Sequence, residues 1–171
     1  NLKWGGWWIN YDEELARKHK NQLPPKSLFE QEKIIICQNS LRLRATYDNE
    51  NYYCKDTFFV GSLLENKKSN FELKFFLAIL NSKLLHFYYG NIYKGTHIAG
   101  GYLHYLIGYL YSLPVAEPTK KQQSDIVGLV DKILKVKDKE EYDKLDSKID
   151  ESIYGLYKID QESRKIIESF I

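Results

Sequence analysis

Residues 73–116 read LKFFLAILNSKLLHFYYGNIYKGTHIAGGYLHYLIGYLYSLPVA, and this stretch decides how the rest of the chain is interpreted. It contains no Asp and no Glu, although the whole chain has 23 acidic residues. An acid-free, aromatic-rich segment with a glycine pair suits a surface that meets a polyanion. It suits equally a buried helix followed by a tight loop, and both interpretations stay open at this point.

The first half of this stretch has the pattern of a buried helix. Ser69 and Glu72 fit the Ser-x-x-Glu capping box that begins a helix, and Gly90 suits a helix C-cap. Between them, apolar residues recur at helical spacing and form one broad face. These residues are Phe75, Phe76, Ile79, Leu80, Leu84 and Phe87. We therefore predict a core helix over residues 73–88, acid-free because it is buried, and narrow the candidate functional part to residues 91–105.

The residues before this helix are typical of short β-strands. A β-branched run predicts a buried strand, and the alternation of apolar and polar residues after it predicts a second. The predicted strands cover residues 4–11, 33–38, 41–47, 52–54 and 57–60. Asp12 is placed to cap a short helix over residues 13–18. We predict a small antiparallel β meander that packs on the central helix.

The residues after Pro118 are typical of helices. Thr119 and Gln122 form a second capping box, and Asp160 is placed to cap a last short helix. Apolar residues at helical spacing in between predict a helical hairpin. The fold class is therefore α+β, with a domain over residues 1–116 and a C-terminal helical spacer over residues 117–171 packed on it.

Composition limits the classes of protein that the sequence fits. The 171 residues are 43% hydrophobic, which is enough for a folded core. The length suits one domain, or one domain with a small appendage. Residues 1–116 carry 14 basic and 10 acidic side chains, whereas residues 117–171 carry 11 and 13. A polyanionic partner is therefore expected to meet the front part. The chain begins at Asn1 and has no Met, so we expect it to be a piece of a longer protein.

Cysteine usage and hydropathy bear on the compartment. Cys37 and Cys54 have no metal-ligand spacing. We expect buried thiols on neighbouring strands in a reducing cytosol, with a disulfide as the alternative. No apolar run reaches the roughly 18 residues that span a bilayer. We expect a cytoplasmic protein without a membrane partner.

Enzyme motifs are absent from the sequence with one weak exception. Glu72 and Lys74 have the Glu-x-Lys form found in metal-dependent nucleases, with Asp56 upstream as a further metal ligand. A nuclease domain is therefore one alternative. A protein-interaction module that uses the helical tail is another. We expect no catalytic residue, no metal site and no cofactor in the chain itself.

Basic and polar residues suggest where DNA would be bound. Arg42 and Arg44 share one face of the predicted strand and suit phosphate or guanine edges. Alternatively, they pair with nearby acidic residues: Glu32, Asp48 or Glu50. His97 and His104 flank the glycine pair and could donate to phosphates or base edges there.

Several motifs, in order, resemble a known family. They are Leu80-Asn81-Ser82-Lys83-Leu84, Gly100-Gly101-Tyr102-Leu103, Leu113-Pro114-Val115, and Gln122-Gln123 leading into an apolar helix. Together with the strands upstream and Ile153-Tyr154-Gly155-Leu156-Tyr157 downstream, they resemble the TaqI-like C-terminal specificity domain. This is the target-recognition domain of adenine-N6 DNA methyltransferases and of fused type II restriction–modification enzymes. Where that family often has a basic residue after Gly-Gly-Tyr-Leu, this chain has His104 and Tyr105.

The resemblance implies a function that composition could not. The parent protein would bind S-adenosylmethionine and methylate a flipped adenine in an upstream domain of the same chain. It would be a site-specific adenine methyltransferase, and a fused parent would also cleave DNA. The present chain would recognise the double-stranded target. The expected DNA-binding residues are Gln38, Asn39, Ser40, Arg42, Arg44, Lys94, Thr96, His97, Gly100, Gly101, Tyr102, His104 and Tyr105.

Overall fold

The computed structural model describes residues 6, 10–20, 22–54, 57–63 and 70–170. Within these residues the strands form one three-stranded and one two-stranded antiparallel sheet. The strands are β1 Lys33–Cys37, β2 Asn39–Ser40, β3 Ala45–Asp48, β4 Phe58–Gly61 and β5 Leu103–His104. The helices are α1 Glu13–Lys18, α2 Leu73–Asn81, α3 Lys83–Ile92, α4 Ile107–Tyr111, α5 Lys120–Ile133, α6 Lys139–Leu156 and α7 Gln161–Ser169. The α+β fold class is confirmed.

The larger sheet has the order β3-β1-β4, so the predicted meander is wrong. Strand β1 is central because Ile34, Ile35 and Ile36 are all buried, and a strand buried on both faces belongs inside a sheet. At its start, the buried Lys33 pairs with the carboxylate of Asp48 on the neighbouring β3. The apolar run predicted the strand correctly. Its neighbours in the sheet could not be predicted, because they depend on remote residues that pack over it.

Two predicted strands are wrong in part or whole because side chains turn the backbone. The hydroxyl of Ser40 donates to the carbonyl of Arg42 at 2.5 Å. Of the predicted strand 41–47, only residues 45–47 lie in a strand, β3. The carboxylate of Asp48 accepts the backbone N–H groups of Glu50 and Tyr52 at 2.9 and 3.0 Å. Residues 52–54 therefore follow a side-chain-stabilised turn and form no strand.

The predicted central helix is two helices that meet at Ser82. This residue has an extended conformation with ψ 151°, and its hydroxyl accepts the N–H of Leu85 at 3.2 Å as the N-cap of α3. The capping box predicted further upstream is wrong, since Glu72 is itself the N-cap of α2 and makes no side-chain cap bond. Ser69 lies outside the described residues.

Gly90 lies inside α3 and is not its C-cap, contrary to the prediction. A Cβ at this position would lie 2.9 Å from the ring of Phe170, which follows α7. The absence of a side chain therefore lets the C-terminal end of the chain approach α3 closely. A contact between residues eighty positions apart left no local signal in the sequence.

The C-terminal helices share the main core. The Thr119–Gln122 capping box and the Asp160 cap are present as predicted. Helix α5 packs on both α2 and α6. Buried residues of one cluster come from α2, α5 and α6, among them Phe75, Ile126 and Ile153.

The N-terminal part contains a short capped helix, and both cysteines lie in or near the larger sheet's segments. Asp12 caps α1 as predicted, whereas most of the strand predicted at residues 4–11 lies outside the described residues. Cys37 and Cys54 are both free and partly buried. Cys54 is not on a strand, which corrects the expected placement. No helix within the described ranges is long and apolar enough to cross a membrane.

Candidate nucleic-acid interface

The glycine pair forms the tip of a short hairpin between residues 97 and 103. The N–H of Ile98 donates to the carbonyl of Tyr102 at 2.8 Å, and His97 is bridged to Leu103. Gly100 and Gly101 both have φ of 78°, in the left-handed region that favours glycine. The hairpin therefore needs both glycines for its backbone conformation.

The hairpin joins β2, which creates a surface with two distinct faces. Asn39 lies opposite His104, and Ser40 lies opposite Leu103. Ser40 and Leu103 are buried, so they form the inner face. Because side chains alternate along a strand, the other face carries an exposed or half-buried set that we call the outer face. The outer face consists of Asn39, Leu41, Tyr102 and His104.

The outer face is polar on the two-stranded sheet and apolar towards the tip. The ring Nδ1 of His104 lies 2.6 Å from Oδ1 of Asn39. Leu41 and Tyr102 are exposed large apolar side chains. They border the tip, since a Cβ at Gly101 would lie 3.8 Å from Leu41, and one at Gly100 would lie 3.5 Å from the Tyr102 ring.

Helix α3 holds the hairpin through Tyr89. The hydroxyl of this fully buried residue donates to the carbonyl of His104 and accepts the N–H of Leu106, both at 3.1 Å. Its ring lies 4.6 Å from that of Tyr105. Burial raises the pKa of the Tyr89 hydroxyl, which therefore stays protonated and able to donate. A second link joins Nε2 of His97 to the carbonyl of Gly90 at 3.2 Å.

The structure brings most of the predicted DNA-binding residues together around the hairpin. The predicted residues whose side chains are exposed or half-buried near the hairpin remain predicted DNA contacts. They are Gln38, Asn39, Lys94, His97, Gly100, Gly101, Tyr102 and His104.

Three predicted contacts have buried side chains instead. Ser40 and Tyr105 lie in the inner layer, and Thr96 donates its hydroxyl to the carbonyl of Tyr93 at 2.8 Å. Burial also raises the pKa of Tyr105 well above its ordinary value. In this conformation the three side chains support the surface and do not line it.

Arg42 and Arg44 line a separate cleft of about 480 Å³ between β3, α2 and the α5–α6 hairpin. The guanidinium of Arg42 donates to the carbonyl of Asn81 and lies 3.9 Å from the carboxylate of Asp146. Its ionic partner is therefore on α6 and is none of the nearby acidic residues considered from the sequence. Because Asp143 and Asp146 also line the cleft, its attraction for a phosphate is weakened.

The residues of the nuclease alternative do not assemble into a site within the described part of the chain. Lys74 binds Asp131 at 2.6 Å, and Asp56 lies outside the described residues. No group of three or more potential metal ligands was found among the residues that the structure describes.

Sequence reasoning missed the pairing of Asn39 with His104 and the exposed apolar tip. The available signal was the alternation in residues 38–41 and 102–105, which predicts two short strands with opposite faces. Their pairing joins residues 65 positions apart, which no local pattern indicates.

Comparison with known proteins identifies the family. A family model of the TaqI-like C-terminal specificity domain matches residues 1–115. The chain belongs to this family. The match includes the whole hairpin and its supporting helix α3, whereas α5 to α7 follow it. No curated protein matches the chain significantly. As a TaqI-like specificity domain, the chain has a DNA-recognition role of the kind found in methyltransferase-type proteins.

Proposed function

We propose that the chain recognises a specific double-stranded DNA sequence as the target-recognition domain of an adenine-N6 DNA methyltransferase in a restriction–modification system. The observation that best supports the proposal is the hairpin at residues 97–104. It exposes polar and apolar side chains on a backbone held by α3 and by β2. A rigid support is what sequence recognition needs, because a misplaced contact cannot discriminate between base edges.

The charge around the hairpin suits a duplex. Residues 73–116 contain no acidic side chain, so no carboxylate from this stretch repels phosphates. Lys94 is exposed on the 3-10 turn Lys94–Thr96 just before the hairpin, and it has no ion-pair partner among the described residues. We assign Lys94 to the phosphate backbone and the outer face to the bases, since phosphate contacts position a protein and base contacts specify the sequence.

The rest of the proposed activity belongs to an upstream domain. That domain would bind S-adenosylmethionine and transfer its methyl group to the N6 amino group of a flipped adenine. We assign none of the residues of this chain to the cofactor. The protein would work in the cytoplasm, where the chromosome and its restriction–modification enzymes meet.

Binding of the chain to a randomised duplex pool tests the recognition function. We expect one sequence to be enriched, with an affinity that falls steeply as salt rises. Lys94→Glu should lower the affinity for all duplexes and reduce the salt slope by about 1. Lys137→Glu is the matched control, because Lys137 is exposed and lies in the connection between α5 and α6. Failure to enrich any sequence, or equal effects of the two variants, would contradict the proposal.

The methyltransferase assignment needs a separate measurement on the parent protein. Incubation with S-adenosylmethionine and the enriched duplex, followed by digestion to nucleosides, should yield N6-methyl-2′-deoxyadenosine. Methylation of cytosine instead would reject the adenine assignment while leaving DNA recognition intact.

A further inference from the structure

The pairing of β2 with β5 places two hydrogen-bonding side chains next to each other on the outer face. Asn39 and His104 are directly opposite in the antiparallel register, so their side chains leave the sheet on the same side. Nδ1 of His104 and Oδ1 of Asn39 are 2.6 Å apart, which is a hydrogen bond. Asn39 is exposed and His104 is half-buried, so the pair is accessible from outside.

This hydrogen bond determines which groups remain for a ligand. Because Oδ1 of Asn39 only accepts, Nδ1 of His104 must carry the proton. In the neutral imidazole, Nε2 is then an acceptor. The Nδ2 amide of Asn39 is a donor. Neither Nδ2 of Asn39 nor Nε2 of His104 has another partner among the described residues. The pair therefore presents one donor and one acceptor on the same face of the sheet.

Among the four bases taken one at a time, only adenine offers both an acceptor and a donor in the major groove. Adenine offers the acceptor N7 beside the donor N6 amino group, whereas guanine offers two acceptors. Cytosine offers its amino donor and thymine its carbonyl acceptor. Guanine would place its O6 against the lone pair of His104 Nε2, which is repulsive.

We propose that Asn39 and His104 together read an adenine in the major groove of the target. The Asn39 amide donates to N7, and Nε2 of His104 accepts from the N6 amino group. This inference rests on the proposed DNA-recognition function and names the base that the outer face selects. The neighbouring Leu41 and Tyr102 are 52% and 43% exposed and are apolar. They suit the C5-methyl group of the thymine that pairs with this adenine.

Base analogues test the inference without changing the protein. In the duplex enriched from the randomised pool, each adenine is replaced in turn by 7-deazaadenine, which lacks the N7 acceptor, or by purine, which lacks the N6 amino group. At one position both analogues should lower the affinity of the 171-residue chain. Replacement of that adenine by guanine should cost about 5- to 150-fold, the range expected for a bidentate base contact.

Two variants then assign each atom of the base to its side chain. Asn39→Ala should lose the sensitivity to 7-deazaadenine, and His104→Phe should lose the sensitivity to purine at the same position. Asn49→Ala is the matched control, since Asn49 is exposed in the turn after β3. Circular dichroism checks that each variant is folded. If a variant does not fold, the base-analogue series on the unsubstituted chain still tests the inference.

The outcomes separate this inference from the proposed function. Enrichment of a duplex in which no adenine is sensitive to both analogues overturns the inference and leaves DNA recognition standing. If both variants fold and keep the same sensitivity to the two analogues, the inference is likewise overturned and DNA recognition is unaffected. If no duplex is bound in a sequence-dependent way, both the inference and the proposed function fail.

Discussion

Alanine at either glycine of the hairpin tip should weaken DNA binding more than it weakens the fold. Gly100 and Gly101 both have φ of 78°, and a residue with a Cβ in the left-handed region costs about 1–2 kcal/mol. Space is not the obstacle, because the nearest atoms to the two Cβ positions lie at 3.5 and 3.8 Å, which is ordinary contact. The cost therefore comes from the backbone alone.

The expected loss of affinity follows from this backbone cost. If DNA binds only the hairpin conformation seen here, a cost of about 1–2 kcal/mol lowers the affinity roughly 5- to 30-fold. The hairpin tip is exposed and can distort locally, so the free energy of unfolding should fall by less than this amount. Fluorescence anisotropy with the enriched duplex measures the affinity, and urea unfolding followed by circular dichroism measures the stability.

Two further substitutions make the prediction refutable. Gly95→Ala is the matched control, since Gly95 is exposed, has no positive φ and has nothing within 4 Å of its Cβ position. Gly101→Asn should recover part of the affinity, because asparagine adopts the left-handed conformation more readily than alanine. If Gly101→Ala binds as well as Gly95→Ala, or if Gly101→Asn binds worse than Gly101→Ala, the argument from backbone conformation is refuted.

Three other substitutions test the supports beneath the hairpin and the sheet. Asn81→Ala removes a side chain that donates to the carbonyl of Ala45 and accepts the N–H of Ala45. The free energy of unfolding should fall by about 1–3 kcal/mol. An unchanged midpoint of urea unfolding would contradict this. Lys33→Met leaves the buried carboxylate of Asp48 without its cation and should cost about 3–5 kcal/mol, read from thermal unfolding. Burial raises the pKa of Asp150 above its ordinary value of 3.8. The folded state therefore binds a proton on this carboxylate more tightly than the unfolded state does. The stability of the fold consequently falls as pH rises from about 3.8 through the raised pKa. Asp150→Asn should flatten that decline in a pH series of urea midpoints, and an unaltered slope would count against it.

Prediction from sequence succeeded where a local pattern was sufficient. The Thr119–Gln122 box and the Asp160 cap were predicted correctly because each is a hydrogen bond between residues within one helical turn. The strand β1 was predicted because its isoleucines leave no exposed face. The break at Ser82 was missed because the apolar spacing continues across it, although a serine is a good N-cap.

The sequence could not show the surroundings of a side chain that packs against a distant partner. Arg42 faces Asp146 on α6, in a cleft separate from the hairpin. The predicted contacts Thr96 and Tyr105 are polar enough to face DNA, but they are buried by α3 and the inner layer of the hairpin. Burial depends on which elements pack together, and the local sequence does not contain that information.

The sequence by itself determined the α+β class, the N-caps of α1, α5 and α7, and the family resemblance, because each rests on residue type and short-range spacing. That residues 91–105 are the functional part stays a prediction from the sequence. Only the tertiary structure decided which face of the hairpin is outside, since this depends on the pairing of β5 with β2 and on the support from Tyr89. The same pairing brought Asn39 to His104 across 65 positions. From the sequence the glycine pair suited a tight loop, and the structure shows that its two left-handed residues turn the chain so that this face can form.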